Sequence, residues 1–94
     1  MISLEQYGPI IVADEVANEI YNEIKKELIA QSSVYIDMSA IKLMVTKCAK
    51  LIYGRLYLEL GAENFFNNIQ IAGASDNIRA VITAGIKQAI EEGK

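Results

Sequence analysis

The chain has no histidine, no tryptophan and only one cysteine, Cys48, among its 94 residues. Without histidine it lacks the commonest general base and the commonest nitrogen ligand of metal ions. A single cysteine excludes an internal disulfide and suits a reducing cytosol. Cys48 lies in an apolar helical segment without a histidine partner, so we expect it to pack in the core rather than act as a nucleophile. The sequence therefore predicts no catalytic residue, no metal site, no cofactor and no enzymatic activity.

Basic clusters and long apolar runs are also missing. Nine Lys and Arg residues, scattered along the chain, stand against 12 Asp and Glu residues, which gives a net charge of −3. This balance does not indicate a nucleic acid or an anionic membrane surface as a partner. No apolar run approaches the length of a membrane span, and the N-terminal MISLEQYG lacks the basic and apolar regions of a signal peptide. We therefore expect a cytoplasmic protein.

Hydrophobic residues make up 52% of the chain, which is enough for one core and one domain over residues 1–94. The apolar spacing predicts strands at residues 2–6, 34–36 and 69–72, a brief extended stretch at 10–12, and three main helices over about 14–30, over about 46–60 and after the capping residues 75–77. Residues 62–68 are predicted to form a turn from which Phe65 or Phe66 reaches the core. Strands that alternate with helices imply right-handed crossovers. The prediction is an α/β fold with a small, mostly parallel β-sheet, antiparallel at its N-terminal edge.

Two polar residues flank the connection between the central strand and the second helix. Asp37 ends the strand, and Thr46 opens the helix after a short apolar connection. Asp37 can accept backbone N–H bonds at the strand end or act as a ligand group. Thr46 can be a helix N-cap or a phospho-acceptor, because a phosphate there would meet free N–H groups and the positive end of the helix dipole.

The second helix has two apolar faces. Steps of 100° place the core stripe on Val45, Ala49, Ile52, Leu56 and Leu60. The other face is centred on Leu51, Gly54 and Leu58, with basic residues around them. Such a helix is either buried between other elements or presents a partner-binding surface whose complement would be acidic with an apolar centre. The candidate partner-binding residues are Lys47, Lys50, Leu51, Gly54, Arg55 and Leu58.

The order of motifs resembles a known family. IDMSAIKLM, then VTKCA, a long helix, NNIQIAGASDNI and a last helix are similar to the STAS domain of anti-sigma factor antagonists and sulfate transporters. The similarity is greatest to a bacterial STAS-like family of unknown function. Asp37 matches the strand-end acid of that domain, and residues 41–44 match its hydrophobic connection. Residues 45–48 fall where an Asp-Ser-Ser-Gly-like element opens the helix, and of that element only the hydroxyl of Thr46 is present.

The resemblance implies both a fold and a function. It implies a STAS-like arrangement of strands and helices, and Thr46 at the position of the phospho-acceptor. It also implies a non-enzymatic regulatory module that docks a protein partner through the helix starting at Thr46, the partner being a kinase-like ATP-binding regulator. The alternative is a domain that binds a small ligand or a nucleotide in the loops at the C-terminal ends of the strands, where open α/β sheets usually bind ligands. The oligomeric state is left open.

Overall fold

The computed structural model describes residues 1–93, which form two small parallel sheets and four helices. The elements in chain order are β1 (Ile2–Ser3), β2 (Ile10–Ile11), α1 (Asp14–Gln31), β3 (Val34–Asp37), β4 (Leu43–Met44), α2 (residues 46–60), α3 (Ala62–Asn68), β5 (Ile69–Ala72) and α4 (Asp76–Glu92). The predicted α/β class with parallel strands is confirmed. The three predicted main helices are all present, at nearly their predicted bounds.

The larger sheet has the strand order β1-β3-β5, and both pairings are parallel. Its middle strand is β3, as predicted, with Ile36 paired to Ile2 on one side and to Ile71 on the other. Ile36 is buried, whereas Tyr35 and its partner Gln70 are exposed. This alternation means that one face of the sheet packs on the helices and the other bears exposed side chains.

The smaller sheet contains only β2 and β4, which are also parallel. Its register pairs Ile10 with Leu43 and Ile11 with Met44. The predicted antiparallel N-terminal edge is therefore wrong, because β1 and β2 lie in different sheets and each pairs with a later strand. A short 3₁₀ turn at Glu5–Tyr7 shortens the first strand and leads the chain from one sheet to the other.

Helix α2 is continuous but not uniform. Thr46–Ala49 is α-helical, Lys50–Gly54 forms a π-helical turn, and Arg55–Leu60 is α-helical again. The π turn packs against α1 and against α4, and its last three residues are all buried. The middle of α2 is therefore buried between other elements, which was one of the two interpretations of this helix.

The core of the protein lies between the larger sheet and the helices. Tyr53 is completely buried, and its hydroxyl lies 3.0 Å from the Sδ atom of Met38. Cys48 is also fully buried, as predicted. The segment predicted as a turn is instead the short helix α3, in which Phe65 is buried and Phe66 is exposed. Helix α3 follows directly after the end of α2, and its first hydrogen bond runs from the amide of Phe65 to the carbonyl of Gly61.

Candidate functional site

Helix α2 begins at Thr46, as predicted, but Thr46 is its first helical residue and not its cap. The N-cap is Val45, which has extended backbone angles and offers no side-chain hydrogen bond to the helix. No acidic residue lies in the first turn. No carboxylate of the helix itself therefore balances the positive end of the α2 dipole. A bound anion at this end would be favoured. The role of Thr46 as a phospho-acceptor stays a prediction.

The starts of α1 and α2 lie side by side. The Nζ atom of Lys47 is 3.1 Å from Oδ2 of Asp14, and the Sγ atom of Cys48 lies 3.7 Å from the carbonyl oxygen of Ala13. Both members of the Lys47–Asp14 pair are well exposed, so the pair contributes little to stability, on the order of 1 kcal/mol or less. The basic residue next to Thr46 in the sequence, Lys47, is therefore already paired with an acid, Asp14.

An exposed apolar patch adjoins this helix start. Four side chains form it, and we call it the β2–β4 patch; their exposed fractions are Ile10 55%, Val12 53%, Leu43 49% and Val45 36%. Ile10 and Leu43 are register partners. Val12 and Val45 directly follow the two strands, and the amide of Val45 donates to the carbonyl of Ile11, which continues the pairing. The strand period of two, continued by one residue, places both valines on the side of Ile10 and Leu43. The intervening residues of the ladder, Ile11 and Met44, face the core. Clustered apolar side chains in water are typical of an interaction surface.

Sequence reasoning did not single out this patch, although a signal was present. Residues 10–12 and 43–45 are each three apolar residues in a row. A strand that is covered on one face alternates apolar and polar side chains, so three apolar residues in a row indicate a second apolar face. Within residues 1–93, no element covers that face of β2 and β4.

The predicted partner face of α2 is only partly exposed. A shallow groove of about 250 Å³ between α2 and the end of α4 brings together four of its six residues, which are Lys50, Leu51, Arg55 and Leu58. Leu58 is half exposed and Leu51 is half buried against the core. The Nζ atom of Lys50 lies 2.9 Å from Oε1 of Glu92. The basic rim of the groove is therefore already paired in part with an acid of the same chain.

Gly54 was predicted to lie at the centre of the exposed face, and this prediction is wrong. Gly54 is buried, and a Cβ atom added to it would lie 2.7 Å from the Cβ of Ala89 and 3.1 Å from the carbonyl oxygen of Gly85. Helix α4 therefore covers Gly54. The close approach that glycine permits is used within the fold and does not serve a partner.

Arg55 is engaged by α1. Its guanidinium carbon lies 3.7 Å from the centre of the Tyr21 ring, and its Nη1 lies 3.3 Å from Oδ1 of Asn18. The hydroxyl of Tyr21 donates to Glu59, and this hydrogen bond is the main reason that the pKa of Glu59 is lowered, with Lys25 adding to it. Burial is the main reason that the pKa of Tyr21 is raised. This network joins α1 to α2.

The loops that follow β3 and β5 pack against each other at the C-terminal ends of the two strands. Oδ1 of Asp37 accepts the backbone N–H of Ser39 at 2.9 Å, and this bond is the main reason that the pKa of Asp37 is lowered. The interpretation of Asp37 as an acceptor of a backbone N–H is confirmed. Gly73, with φ +74°, lies so close to Ser39 that an added Cβ would be 2.9 Å from its amide nitrogen. The loops leave no gap between them here, and the nearby hollow is lined by Ser3, Glu5 and Gln6, none of them basic.

In residues 1–93, no three His, Cys, Asp or Glu side chains are placed to share a metal ion. Burial raises the pKa of Cys48, which disfavours the thiolate. None of the helices in this range is both long enough and apolar enough to cross a membrane.

Comparisons with known proteins give no relative for this chain: no protein-family model, no curated protein and no solved structure matches it. The resemblance to STAS domains stays a prediction that depends on the motifs around Asp37 and Thr46.

Proposed function

We propose that this chain is a non-enzymatic regulatory module of the cytoplasm, and that it docks a protein partner through the start of α2 and the adjoining β2–β4 patch. The observation that carries the proposal is the exposure of four large apolar side chains beside Thr46. The resemblance to STAS domains also places the docking site at the N-terminal end of α2. If that resemblance holds, the partner is a kinase-like ATP-binding regulator.

The patch has the physical properties of the centre of an interface. Its side chains are about half exposed, so a partner that covers them gains on the order of 1 kcal/mol for each. Lys47 lies next to the patch along the chain and stays exposed, so it provides a polar rim. The partner surface that fits is apolar in the centre with an acidic group at its edge.

Thr46 is placed to control this docking. A phosphate on its hydroxyl would add a charge of about −1.5 to −2 at the helix N-terminus, where the free N–H groups favour it. Lys47 lies beside it and would be shared between the phosphate and its present partner, Asp14. The same charge would lie beside the apolar patch and would have to be desolvated when a partner docks. Phosphorylation is therefore proposed to release the partner without unfolding the module.

The experiment compares two patch variants with one matched control and with Leu58→Asp, a change in the groove between α2 and α4. Val45→Asp places a carboxylate in the patch, and because Val45 is the N-cap, the new side chain also supplies the missing cap of α2. Leu43→Asp changes the patch without this gain. Ile29→Asp is the control, because Ile29 is the most exposed large apolar residue within residues 1–93 and lies outside the patch, on α1.

Each variant serves as bait in an affinity capture from the native cell lysate, with mass spectrometry of what is captured and an unfolding temperature for each bait. We expect the wild type and Ile29→Asp to retain the same protein, and Leu43→Asp and Val45→Asp to lose it while they stay folded. Retention by both patch variants would overturn the proposal. Loss with Leu58→Asp alone would move the docking surface to the groove between α2 and α4.

The alternative, a small-ligand or nucleotide site at the ends of the strands, has less support. The loops after β3 and β5 pack on each other through Gly73 and Ser39. The hollow beside them contains Glu5 and no basic residue, so it offers no counter-charge for a phosphate.

A further inference from the structure

A cavity of about 400 Å³ lies at the other end of α2 from the β2–β4 patch. Its walls come from the end of α2, from α3, from β5 and from α4. Its volume lies within the range of about 300–1,000 Å³ that is common for small-molecule sites. Of its nine lining residues, the six used below are Tyr57, Phe66, Ile71, Arg79, Ile82 and Thr83.

One wall of the cavity is aromatic and held in place by neighbouring rings. Tyr57 and Phe66 meet edge to face, with ring centres 6.1 Å apart, and both also pack edge to face on the buried ring of Phe65. Phe66 is nevertheless 67% exposed, so a ligand that covers its ring would remove apolar surface from water. The rest of the apolar lining is aliphatic and includes Ile71 of β5 and Ile82 of α4. This mixture of aromatic and aliphatic side chains suits a flat or branched apolar body.

The polar side of the cavity has a single charge. Arg79 is the only charged residue in its lining, and it takes part in none of the ion pairs found within residues 1–93. The hydroxyl of Thr83 donates to the backbone carbonyl of Arg79 at 3.0 Å, so its proton is already used. The lining therefore has two side-chain donors to offer a ligand, the hydroxyl of Tyr57 and the cationic guanidinium group of Arg79. The paired N–H groups of the guanidinium match the two oxygens of a carboxylate.

We propose that this cavity binds a small organic carboxylate with an aromatic or branched aliphatic body. The body packs against the Tyr57–Phe66 wall and the isoleucines, and the carboxylate pairs with Arg79. The charge selects the ligand class, because an apolar amine would be repelled by Arg79 and a neutral analogue would lose the charge-assisted hydrogen bonds. This site is independent of the docking surface proposed above.

The test uses 3-phenylpropionate as the probe and 3-phenylpropanamide as its neutral, isosteric control. Binding is followed by NMR of isotope-labelled isoleucine methyl groups, with Ile71 and Ile82 as reporters inside the cavity and Ile10 as a reporter outside it. We expect saturable shifts at the two cavity reporters, none at Ile10, and an affinity for the carboxylate about tenfold higher than for the amide.

Two charge-removing variants separate a specific contact from general attraction. In Arg79→Gln, the carboxylate should fall to the affinity of the amide. Lys87→Gln removes an exposed positive charge from the same helix, outside the cavity, and should keep the tenfold preference. Phe66→Ala, a change at an exposed ring, should weaken both probes alike because it removes part of the apolar wall.

Three results would overturn the proposal. The first is the absence of saturable shifts with either probe. The second is equal binding of acid and amide by the wild type, or an unchanged preference in Arg79→Gln. The third is a shift of the cavity reporters with protein concentration alone, together with a dimer mass in light scattering, since a second copy of the chain would then cover the cavity.

Discussion

Gly85 of α4 lies against the backbone of Lys50 in the π turn of α2. A Cβ atom added to Gly85 would lie 2.6 Å from the Lys50 amide nitrogen, and 2.7 Å from the carbonyl carbon of Ala49. The two helices therefore meet main chain to main chain, and neither backbone can give way without moving its helix. This contact fixes the position of α4 on the helix that begins at Thr46.

The first prediction is that Gly85→Ala destabilises the fold. Overpacking against a backbone costs about 1–3 kcal/mol, and the higher helix propensity of alanine returns about 1 kcal/mol. We expect an overpacking cost near the upper end, about 3 kcal/mol, because backbone atoms cannot rotate aside as a flexible side chain does. Each kcal/mol lost lowers the unfolding temperature by roughly 4–8 °C in a domain of this size. Gln88→Ala, at an exposed position of the same helix, should change it very little; equal effects of the two changes would refute the close contact.

The second prediction concerns Thr46→Glu. The first turn of α2 has no acidic residue, so a carboxylate there should stabilise the helix by about 0.3–1 kcal/mol through the dipole. The same change should weaken capture of the partner, because it places a charge beside the apolar patch. Thr46→Ser keeps the hydroxyl and should retain capture. Reduced capture with a lower unfolding temperature would instead indicate that Thr46→Glu damages the fold.

The third prediction is a loss of stability in acid that depends on Glu59. Its pKa is lowered in the folded protein, chiefly by the hydrogen bond from Tyr21. A lowered pKa means that the folded state favours the carboxylate, so its contribution is present above the ordinary pKa of 4.5 and is lost as the pH falls through the folded-state value. Denaturant unfolding between about pH 6 and about pH 3 should show this loss.

Glu59→Gln removes the titrating group and should flatten that part of the pH profile. Glu63→Gln is a suitable control, because Glu63 is an exposed acid on the neighbouring helix α3. If both variants follow the wild-type profile, the Tyr21–Glu59 hydrogen bond does not contribute to acid stability.

The sequence was sufficient to predict the elements that have clear local signals. The apolar triplet before Asp37 predicted the central strand. The three capping residues at 75–77 before an amphipathic run predicted the start of α4, and of these three it is Ser75 whose Oγ accepts the N–H of Ile78. Parallel pairing of the main strands followed from the helices between them. These features depend on neighbours in the chain, so local pattern is enough to find them.

Features that depend on tertiary contact were harder to predict. Regular 100° steps placed Gly54 on an open face, but the π turn at Lys50–Gly54 changes the rotation per residue, and α4 covers that side. The residues of α3 were predicted as a turn because a helix this short has little periodicity. The β2–β4 patch was missed because its two apolar triplets lie far apart in the sequence, and nothing local shows that they pair.

The pairing of β2 with β4 has a consequence for what a partner can recognise. Ile10 and Leu43 come from distant parts of the chain, and α1 and β3 must fold between them before the two side chains meet. A fragment cut within α1 would carry only half of the surface on each piece. A partner that contacts the whole patch would therefore bind an intact module and not a degraded or incompletely synthesised one.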